Sequence, residues 1–401
     1  MSSQLIARSP DLVRLRDNGY ELEVVASHLL VGHIPYVNSG KEVAYGVLAV
    51  KLVIAGDMVQ KPDTHVAYFI GDHPCNIDGT EITGLKHTTT PYHISDSLTA
   101  NRSFSNKPPE GYPGYYEQIT RYVEMITPPA RAIDNTVTAQ TYKIAETTED
   151  ESVFCYPDTA SSRAGITTLT AKLELEKVAI VGLGGTGSYV LDLLAKCPVK
   201  EIHLFDGDRF LNHNAFRSPG APTIEILRSI EYKVVYFRDF YSNMRRGIHA
   251  HPEYIDDSNV ESLRGMKFVF ICCDGGKYKK TLITRLEEWG TPFIDVGMGL
   301  AQEDGALSGL VRVTTSTPSK RDHVRRRVSL VDDVDDAYST NIQIADLNCL
   351  NAALAVVKWK KLFGFYHDVP QEHNSFYNVR TGGLINGDQL GEQNGNHASV
   401  C

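Results

Sequence analysis

Residues 178–196 read VAIVGLGGTGSYVLDLLAK, and this stretch decides the fold. Its apolar start has the length of a buried strand, and its second half has the spacing of a helix. Gly182 permits a tight turn between the two. Gly184 and Gly185 let the backbone approach a phosphate, whereas Gly187 lets the helix pack closely on the strand. The pattern predicts a site for nucleotide phosphates at a helix N-terminus, as found in both ATP-binding and NAD-binding domains.

The next strand fits both nucleotides, and the segment after it distinguishes ATP from NAD. Residues 201–208, EIHLFDGD, place Asp206 at the end of the strand, where a carboxylate can accept hydrogen bonds from a ribose. Asn214 and Arg217 follow in the segment DRFLNHNAFR. A triphosphate carries several negative charges that an amide and a guanidinium can bind, and hydride transfer has no need of this pair. The combination favours ATP over NAD.

Strands and helices alternate from residue 168 onward. This alternation predicts an α/β fold, with a Rossmann-like, mostly parallel sheet and helices on both of its faces. The predicted strands are 178–181, 201–205, 268–272, 292–296 and 309–315, and the predicted helices are 169–175, 187–196, 225–235, 279–289 and 342–363.

The first third of the chain has a different organisation. A helix over 5–18, three strands between 27 and 71, and a helix over 115–126 predict a smaller α+β domain. The polar stretch 72–113 is too rich in turn residues for a long regular element. We therefore expect four segments, namely an N-terminal domain over 1–135, a linker over 136–155, the nucleotide-binding domain over 156–381 and a flexible tail over 382–401.

The motifs GLGGTG, LFDGD and HNAFR together resemble the signature of the ThiF/MoeB/ubiquitin-activating superfamily over roughly residues 160–365. The resemblance implies ATP and Mg2+ as cofactors. It places Asp206 at the ribose and Asp274, which ends the strand FVFICCD, at the magnesium ion, while Asp208 would assist the metal or cap its loop. Contacts with the phosphates are implied for Asn214, Arg217 and Lys233, and the implied catalytic residues are Arg217, Lys233, Asp274 and Arg163, the last reaching into the site of a partner subunit.

The same resemblance implies an activity. The chain would adenylate the C-terminal carboxylate of a ubiquitin-like protein that ends in glycine, release pyrophosphate, and pass the acyl group to a partner nucleophile. The family also implies a homodimer. Three alternatives remain open: adenylation of another carboxylate, on a peptide or a tRNA; an NAD-dependent oxidoreductase; and an inactive ThiF-like scaffold.

A narrower resemblance covers the whole chain. The phrases HNAFRSPGAP and FIDVGMG are similar to those of bacterial ThiF-type proteins that carry an extra N-terminal domain. Those proteins occur with ubiquitin-like conjugation systems and are suspected in antiviral defence. The order of a helix, three strands and the turn HPCNIDG also resembles a conjugating-enzyme fold, so the N-terminal domain could recognise the modifier or a conjugating-enzyme-like partner.

Composition excludes several other classes. The net charge of −9 lacks the excess of basic residues that a nucleic-acid-binding protein needs. No apolar segment reaches membrane length, and no secretory signal is visible, so we expect no membrane association and a cytoplasmic, reduced protein. The seven cysteines include no CxxC pair, so the structural zinc site common in the superfamily is not expected.

The charged loop over 316–337 contains no cysteine. Classical ubiquitin-activating enzymes carry their catalytic cysteine in the corresponding loop, so no thioester is expected there. An oxyester on a hydroxyl between Thr314 and Ser319, with His323 as the base, is chemically possible. Direct transfer of the acyl group to a partner is the favoured interpretation.

Overall fold

The computed structural model describes residues 2–56, 58–144, 152–274, 276–330 and 342–390. Its contacts divide the chain into two units. The first comprises Met1–Glu151 with Tyr156–Gly165, and the second comprises Ser152–Cys155 with Ile166–Cys401. Among the described residues, no helix is both long and apolar enough to cross a membrane.

The first unit is built on an antiparallel sheet. Six strands pair in the order β1-β2-β3-β6-β10-β7, and helix α3 buries its apolar face, including Ile119 and Tyr122, in the same core. The strands are β1 Leu22–Val25, β2 His28–Val37, β3 Val43–Lys51, β4 Ile54–Ala55, β5 Met58–Val59, β6 Val66–Ile70, β7 Lys86–Thr88, β8 Tyr92–Ser95, β9 Leu98–Ala100 and β10 Arg102–Ser105. The helices are α1 Ser2–Arg8, α2 Pro10–Asp17, α3 Tyr115–Ile126, α4 Pro128–Ile133 and α5 Thr159–Arg163.

The second unit contains an eight-stranded sheet in the order β13-β12-β11-β14-β15-β16-β17-β18. The first five strands in this order run parallel, and the last three continue the sheet antiparallel. The strands are β11 Lys177–Val181, β12 Glu201–Phe205, β13 Ile248–His251, β14 Phe268–Ile271, β15 Phe293–Glu303, β16 Ala306–Ser316, β17 Asn374–Asn378 and β18 Gly383–Gly387.

Helices cover both faces of this sheet. Alternate residues of β11 belong to two cores: Val178 and Ile180 pack with α7, α10 and α13, whereas Ala179 and Val181 pack with α11. The helices are α6 Thr167–Thr170, α7 Gly185–Ala195, α8 Asn212–Ala215, α9 Ile224–Ser229, α10 Lys233–Ser242, α11 Gly276–Glu288, α12 Val324–Arg327 and α13 Ala345–Leu362, with short 3-10 turns at Ala171–Leu173 and Val260–Leu263. The predicted fold class is confirmed.

Several local predictions need correction. The helix expected over 225–235 is two helices, α9 and α10, because Ile230 between them adopts a left-handed φ of +49°. The helix expected over 5–18 is interrupted before Pro10. The expected flexible tail begins with β18, which pairs with β17, while residues 391–401 lie outside the described residues. Strands β13 and β17 were not predicted.

The strand order reverses between β11 and β14. The chain leaves β11 for β12 and β13 on one side, and then returns to β14 and β15 on the other. Open α/β sheets bind ligands outside the carboxyl ends of their strands at such a point. The glycine turn after β11, the acidic segment after β12 and Asp274 after β14 all lie at this edge of the sheet.

Candidate active site

The glycine turn between β11 and α7 is closely packed on one side and open at Gly184. Gly182 has a φ of +93°, and a Cβ there would lie 2.7 Å from the backbone nitrogen of Cys273. A Cβ at Gly187 would lie 1.9 Å from the carbonyl oxygen of Gly182, so both positions require glycine. At Gly184 no described atom beyond its two neighbours in the chain lies within 4 Å of the place that a Cβ would take. This space, next to the first amides of α7, can accept a phosphate.

Asp206 is buried and held by backbone amides. Its Oδ2 accepts a hydrogen bond of 2.6 Å from the amide of Leu183, and its Oδ1 accepts one of 2.8 Å from the amide of Asp208. The ammonium of Lys233 lies 3.6 Å from Oδ1. Burial raises the pKa of Asp206, although Lys233 and the two amides act in the opposite direction. The carboxylate is therefore fixed in position directly below the glycine turn.

Asp208 is more exposed and is bound by two side chains. The Nζ of Lys233 donates a hydrogen bond of 2.6 Å to Oδ2, and the hydroxyl of Tyr254 donates to Oδ1. Burial opposes ionisation, but these two bonds hold the pKa of Asp208 below its ordinary value. The ring of Tyr254 lies over Gly207, where a Cβ would be 2.6 Å from it. Sequence analysis missed Tyr254, which lies in the loop after the unpredicted strand β13.

Asn214 and Arg217 lie in and after the short helix α8. The buried Oδ1 of Asn214 accepts a hydrogen bond of 2.8 Å from the amide of Leu211, so this side chain shapes the loop. The Nε of Arg217 is buried and has no hydrogen-bond partner among the described residues. Burial lowers the pKa of His213, and the charge of Arg217 lowers it further and also helps to lower the pKa of Asp208. Arg217 thus belongs to the same cluster and has an unused donor.

Asp274 follows β14 and is exposed. The two residues before it, Cys272 and Cys273, lie against Gly182 of the glycine turn. Burial raises the pKa of Cys273 to about 11, so this thiol is not a nucleophile at neutral pH. Asp274 therefore offers an accessible carboxylate beside the glycine turn.

Helix α13 contributes residues that sequence analysis did not assign to the site. The Oδ1 of Asn348 accepts a hydrogen bond of 2.9 Å from the hydroxyl of Thr186. A Cβ at Gly185 would lie 2.0 Å from the side-chain nitrogen Nδ2 of Asn348. Asn351, one turn further, donates a hydrogen bond of 3.0 Å to the carbonyl of Gly297, and its buried Oδ1 has no partner among the described residues. The sequence feature that indicates these site residues is a pair of asparagines three positions apart in a largely apolar helix.

A second charged cluster lies at the neighbouring strand β15. Asp295 is fully buried and forms ion pairs of 2.9 Å with Lys279 and 2.5 Å with Arg312. Arg312 also donates to Thr314, whose hydroxyl donates a hydrogen bond of 2.7 Å to Asn374. Burial alone would lower the pKa of Lys279, but the field of Asp295 outweighs it and raises that pKa. No sequence motif indicated this cluster.

Most of the second unit matches the model of a known protein family. The model of the ThiF family matches residues 160–361, about half of the 401-residue chain. The chain belongs to the ThiF family. Residues 10–159 match a domain of unknown function, DUF6791. The predicted membership of the superfamily is therefore confirmed.

Individual relatives of this ThiF-family chain are distant. Ubiquitin-like modifier-activating enzyme 5 of Branchiostoma floridae is 24% identical over 165 residues, covering 38% of this chain and 40% of the relative. The Gallus gallus enzyme of the same name is 26% identical, covering 38% of this chain and 41% of its own. The chain thus matches less than half the length of these curated relatives. A crystal structure of E. coli MccB with ATP aligns at a TM-score of 0.45 and 16% identity, over 57% of this chain and 71% of MccB.

Arg163 belongs to the first unit of the ThiF-family chain. It is exposed and ends helix α5, whose N-cap Asp158 accepts hydrogen bonds from the amides of Ala160 and Ser161. All the other predicted site residues belong to the second unit. The part that Arg163 plays stays a prediction.

Among the described residues, no hydrogen bond joins His323 to the hydroxyl groups between Thr314 and Ser319. His323 is fully buried, and its Nε2 lies 3.0 Å from the carbonyl oxygen of Thr315. Thr317 instead contacts His373, at 3.3 Å between Oγ1 and Nε2, and burial lowers the pKa of His373 to about 4. Thr317 and His323 are therefore held in buried positions of this loop, whereas Ser319 and Asp322 are exposed. The segment 331–341 lies outside the described residues.

Proposed function

We propose that this ThiF-family chain uses ATP to adenylate the C-terminal carboxylate of a ubiquitin-like protein. The observation that carries the proposal is the joint placement of a glycine turn, Asp206 and two cations at the carboxyl ends of β11 and β12. A phosphate chain, a ribose and a neutralising charge can be bound there side by side. An NAD-dependent oxidoreductase would bind NAD instead of ATP, and an inactive scaffold would catalyse no exchange of pyrophosphate into ATP.

The nucleotide would bind along this edge of the sheet. The amides at the start of α7 and the open space at Gly184 would receive phosphate oxygens, because no side chain caps this helix N-terminus. Asp206 would accept the ribose hydroxyls with the remaining lone pairs of its fixed carboxylate. Tyr254, which lies over Gly207, would border the nucleoside on its exposed side.

Two cations would bind the phosphates. Arg217 has a buried Nε without a partner among the described residues, so an added phosphate oxygen would satisfy it. Lys233 is engaged with Asp208 at 2.6 Å, and a triphosphate would compete with that carboxylate for the ammonium. Asp208 would keep its hydrogen bond from Tyr254. Asn214 would act mainly by holding the loop that carries Arg217.

Asp274 fits a magnesium ion. Mg2+ binds proteins through one or two carboxylates and completes its coordination with water and phosphate oxygens, and Asp274 is an exposed carboxylate next to the phosphate turn. When bound, the ion would neutralise charge on the phosphates. Asp208 is a second carboxylate at the same edge of the sheet.

The reaction itself needs no covalent residue. A carboxylate oxygen of the substrate attacks the α-phosphorus of ATP, and the bond from that phosphorus to the bridging oxygen breaks. Pyrophosphate takes the electron pair, and an acyl-adenylate remains. Arg217 and Lys233 would stabilise the charge that develops on the phosphate oxygens, and the fixed geometry of the site would align the reactants.

The substrate class rests on the relatives and on the chain's charge. The curated relatives are named as ubiquitin-like modifier-activating enzymes, and the net charge of −9 disfavours a tRNA-linked carboxylate. A peptide carboxylate is the remaining alternative. We further propose a homodimer in which Arg163 acts at the partner's site, and a recognition role for the N-terminal domain. Arg163→Ala should then slow adenylation without changing the free energy of unfolding.

The decisive test is ATP–pyrophosphate exchange with candidate ubiquitin-like proteins that end in glycine. Exchange is expected with the intact modifier and not with the same modifier after removal of its C-terminal glycine. Exchange supported only by a short peptide or a charged tRNA would reassign the substrate. Absence of exchange with every carboxylate, together with binding of NAD, would overturn the proposal in favour of an oxidoreductase. Absence of exchange and of nucleotide binding would favour the scaffold.

A further inference from the structure

Three histidines and a glutamate project from one face of strands β12 and β13. Alternate residues of a strand point to the same face, so Glu201 and His203 of β12 lie together. His249 of β13 is the register partner of His203, and His251 follows two positions later on the same face. The opposite face of β12 belongs to the hydrophobic core.

The side-chain atoms converge closely enough to bind one ion. The Nε2 of His203 lies 3.0 Å from Oε2 of Glu201, and the Nε2 of His249 lies 3.8 Å from the same oxygen. One ligand atom from each of the three residues lies within 4.8 Å of the others. The exposed fraction of the side chain is 13% for His203 and 48% for His249, so one side of the cluster is open to solvent.

His251 orients His203. Its Nε2 lies 3.1 Å from Nδ1 of His203, and the two rings stack with centroids 5.4 Å apart. A hydrogen bond at Nδ1 fixes the tautomer of an imidazole and directs the Nε2 lone pair towards a ligand, as metal-binding histidines commonly require.

A lysine supplies the local positive charge in this structure. Lys177, the first residue of β11, places its ammonium 3.0 Å from Oε2 of Glu201. Its side chain is 46% exposed, so it can turn into solvent when another cation takes its place. A carboxylate paired with lysine alone would not need two imidazole nitrogens beside it.

We propose that Glu201, His203 and His249 form a binding site for a divalent transition-metal ion of the Zn2+ type. Imidazole ligands favour Zn2+, Co2+, Ni2+ or Cu2+ over Mg2+, which prefers oxygen ligands. Two histidines and a carboxylate leave a fourth coordination position, on the exposed side. The ion would tie the edge strand β13 to β12. This site uses none of the residues proposed for adenylation and contains no cysteine, unlike the zinc sites that the sequence led us to exclude.

The test is metal binding to the full chain, prepared without a histidine tag and treated with a chelator. Calorimetric titration with Zn2+ is expected to show saturable binding of one equivalent, and titration with Mg2+ none at this site. His249→Ala should weaken Zn2+ binding at least about tenfold, and His251→Phe about 10- to 100-fold. His367→Ala, at an exposed histidine elsewhere in the same unit, is the matched control and should leave binding unchanged.

Two further measurements exclude a folding defect. Zn2+ should raise the Tm of the wild type but not of His249→Ala, whose own Tm without metal should match the wild type because the side chain is half exposed. Lys177→Ala should bind Zn2+ as tightly as the wild type or more tightly, because it removes a competing cation. Absence of saturable Zn2+ binding, binding that survives His249→Ala, or weaker binding in Lys177→Ala would each overturn the proposal.

Discussion

Two aspartate–lysine pairs lie on strands or strand ends of the same sheet, and they differ in what surrounds them. Asp208, after β12, pairs with Lys233 while its side chain is 52% exposed. Asp295, within β15, pairs with Lys279 and Arg312 and has no exposed surface. The first pair can exchange its partners for a ligand, whereas the second is completed within the protein. Solvent access therefore distinguishes a binding site from a structural cluster of similar composition.

Among substitutions in the solvent-accessible site that contains Asp208 and Lys233, Asp274→Ala should have the largest effect on activity. Asp274→Ala should reduce ATP–pyrophosphate exchange by about 10²- to 10³-fold, because it removes the proposed metal ligand. Its free energy of unfolding should change little, since the side chain is exposed. Asp257→Ala, at another exposed aspartate of the second unit, is the control and should leave the exchange rate unaltered. Near-normal exchange in Asp274→Ala would remove this residue from the site.

Substitutions in the buried cluster of Asp295, Lys279 and Arg312 should lower the stability of the fold. Asp295→Ala is expected to lower the free energy of unfolding by about 3–5 kcal/mol, because it leaves Lys279 and Arg312 buried without their counter-ion. Urea titration measures the change. The triple variant Asp295→Leu, Lys279→Met, Arg312→Leu should recover most of the loss, since no buried charge then lacks a partner. A loss below about 1 kcal/mol in Asp295→Ala would show that the cluster is hydrated.

The sequence predicted the parts of this arrangement that depend on local pattern. The glycine turn, the strand that ends in Asp206, and helix α7 follow from composition and periodicity, and the fold class is confirmed. The contacts of Asn348 and of Asp295 depend on the packing of elements distant in sequence, so no local sequence pattern predicts them. Tyr254 was missed because β13 is a four-residue strand rich in histidine, which does not resemble a buried strand.

Nucleotide binding tests the accessible pair of Asp208 and Lys233 directly. ATP with magnesium should bind in a calorimetric titration, while NAD should neither bind nor compete. Lys233→Met should weaken ATP binding about 10- to 100-fold, as expected for the loss of a charge-assisted hydrogen bond. Arg228→Ala, at an exposed arginine of α9, is the matched control and should bind ATP like the wild type. Tight binding of NAD without ATP would contradict the nucleotide assignment.

The smallest expected effect is the dependence of stability on pH at Asp208. Hydrogen bonds from Lys233 and Tyr254 hold its pKa in the folded state below the unfolded value of about 3.9. A carboxyl group with a lowered folded pKa stabilises the folded state above the unfolded pKa, and this contribution is lost as the pH falls through the folded value. The stability difference between the wild type and Asp208→Asn should therefore be constant from neutral pH down to about 5 and should shrink below about 4. Because the side chain of Asp208 is half exposed, and Lys233 keeps Asp206 as a second partner at 3.6 Å, the difference should stay below about 1 kcal/mol. Asp206, whose pKa is shifted upward, contributes with the opposite sign, but it is present in both proteins and largely cancels in the comparison.

Urea titrations across this pH range measure the difference, with Asp257→Asn as the control that should show no pH-dependent trend. A difference that grows as the pH falls would mean that Asp208 is held in its neutral form, and the open pair would then not be an ion pair.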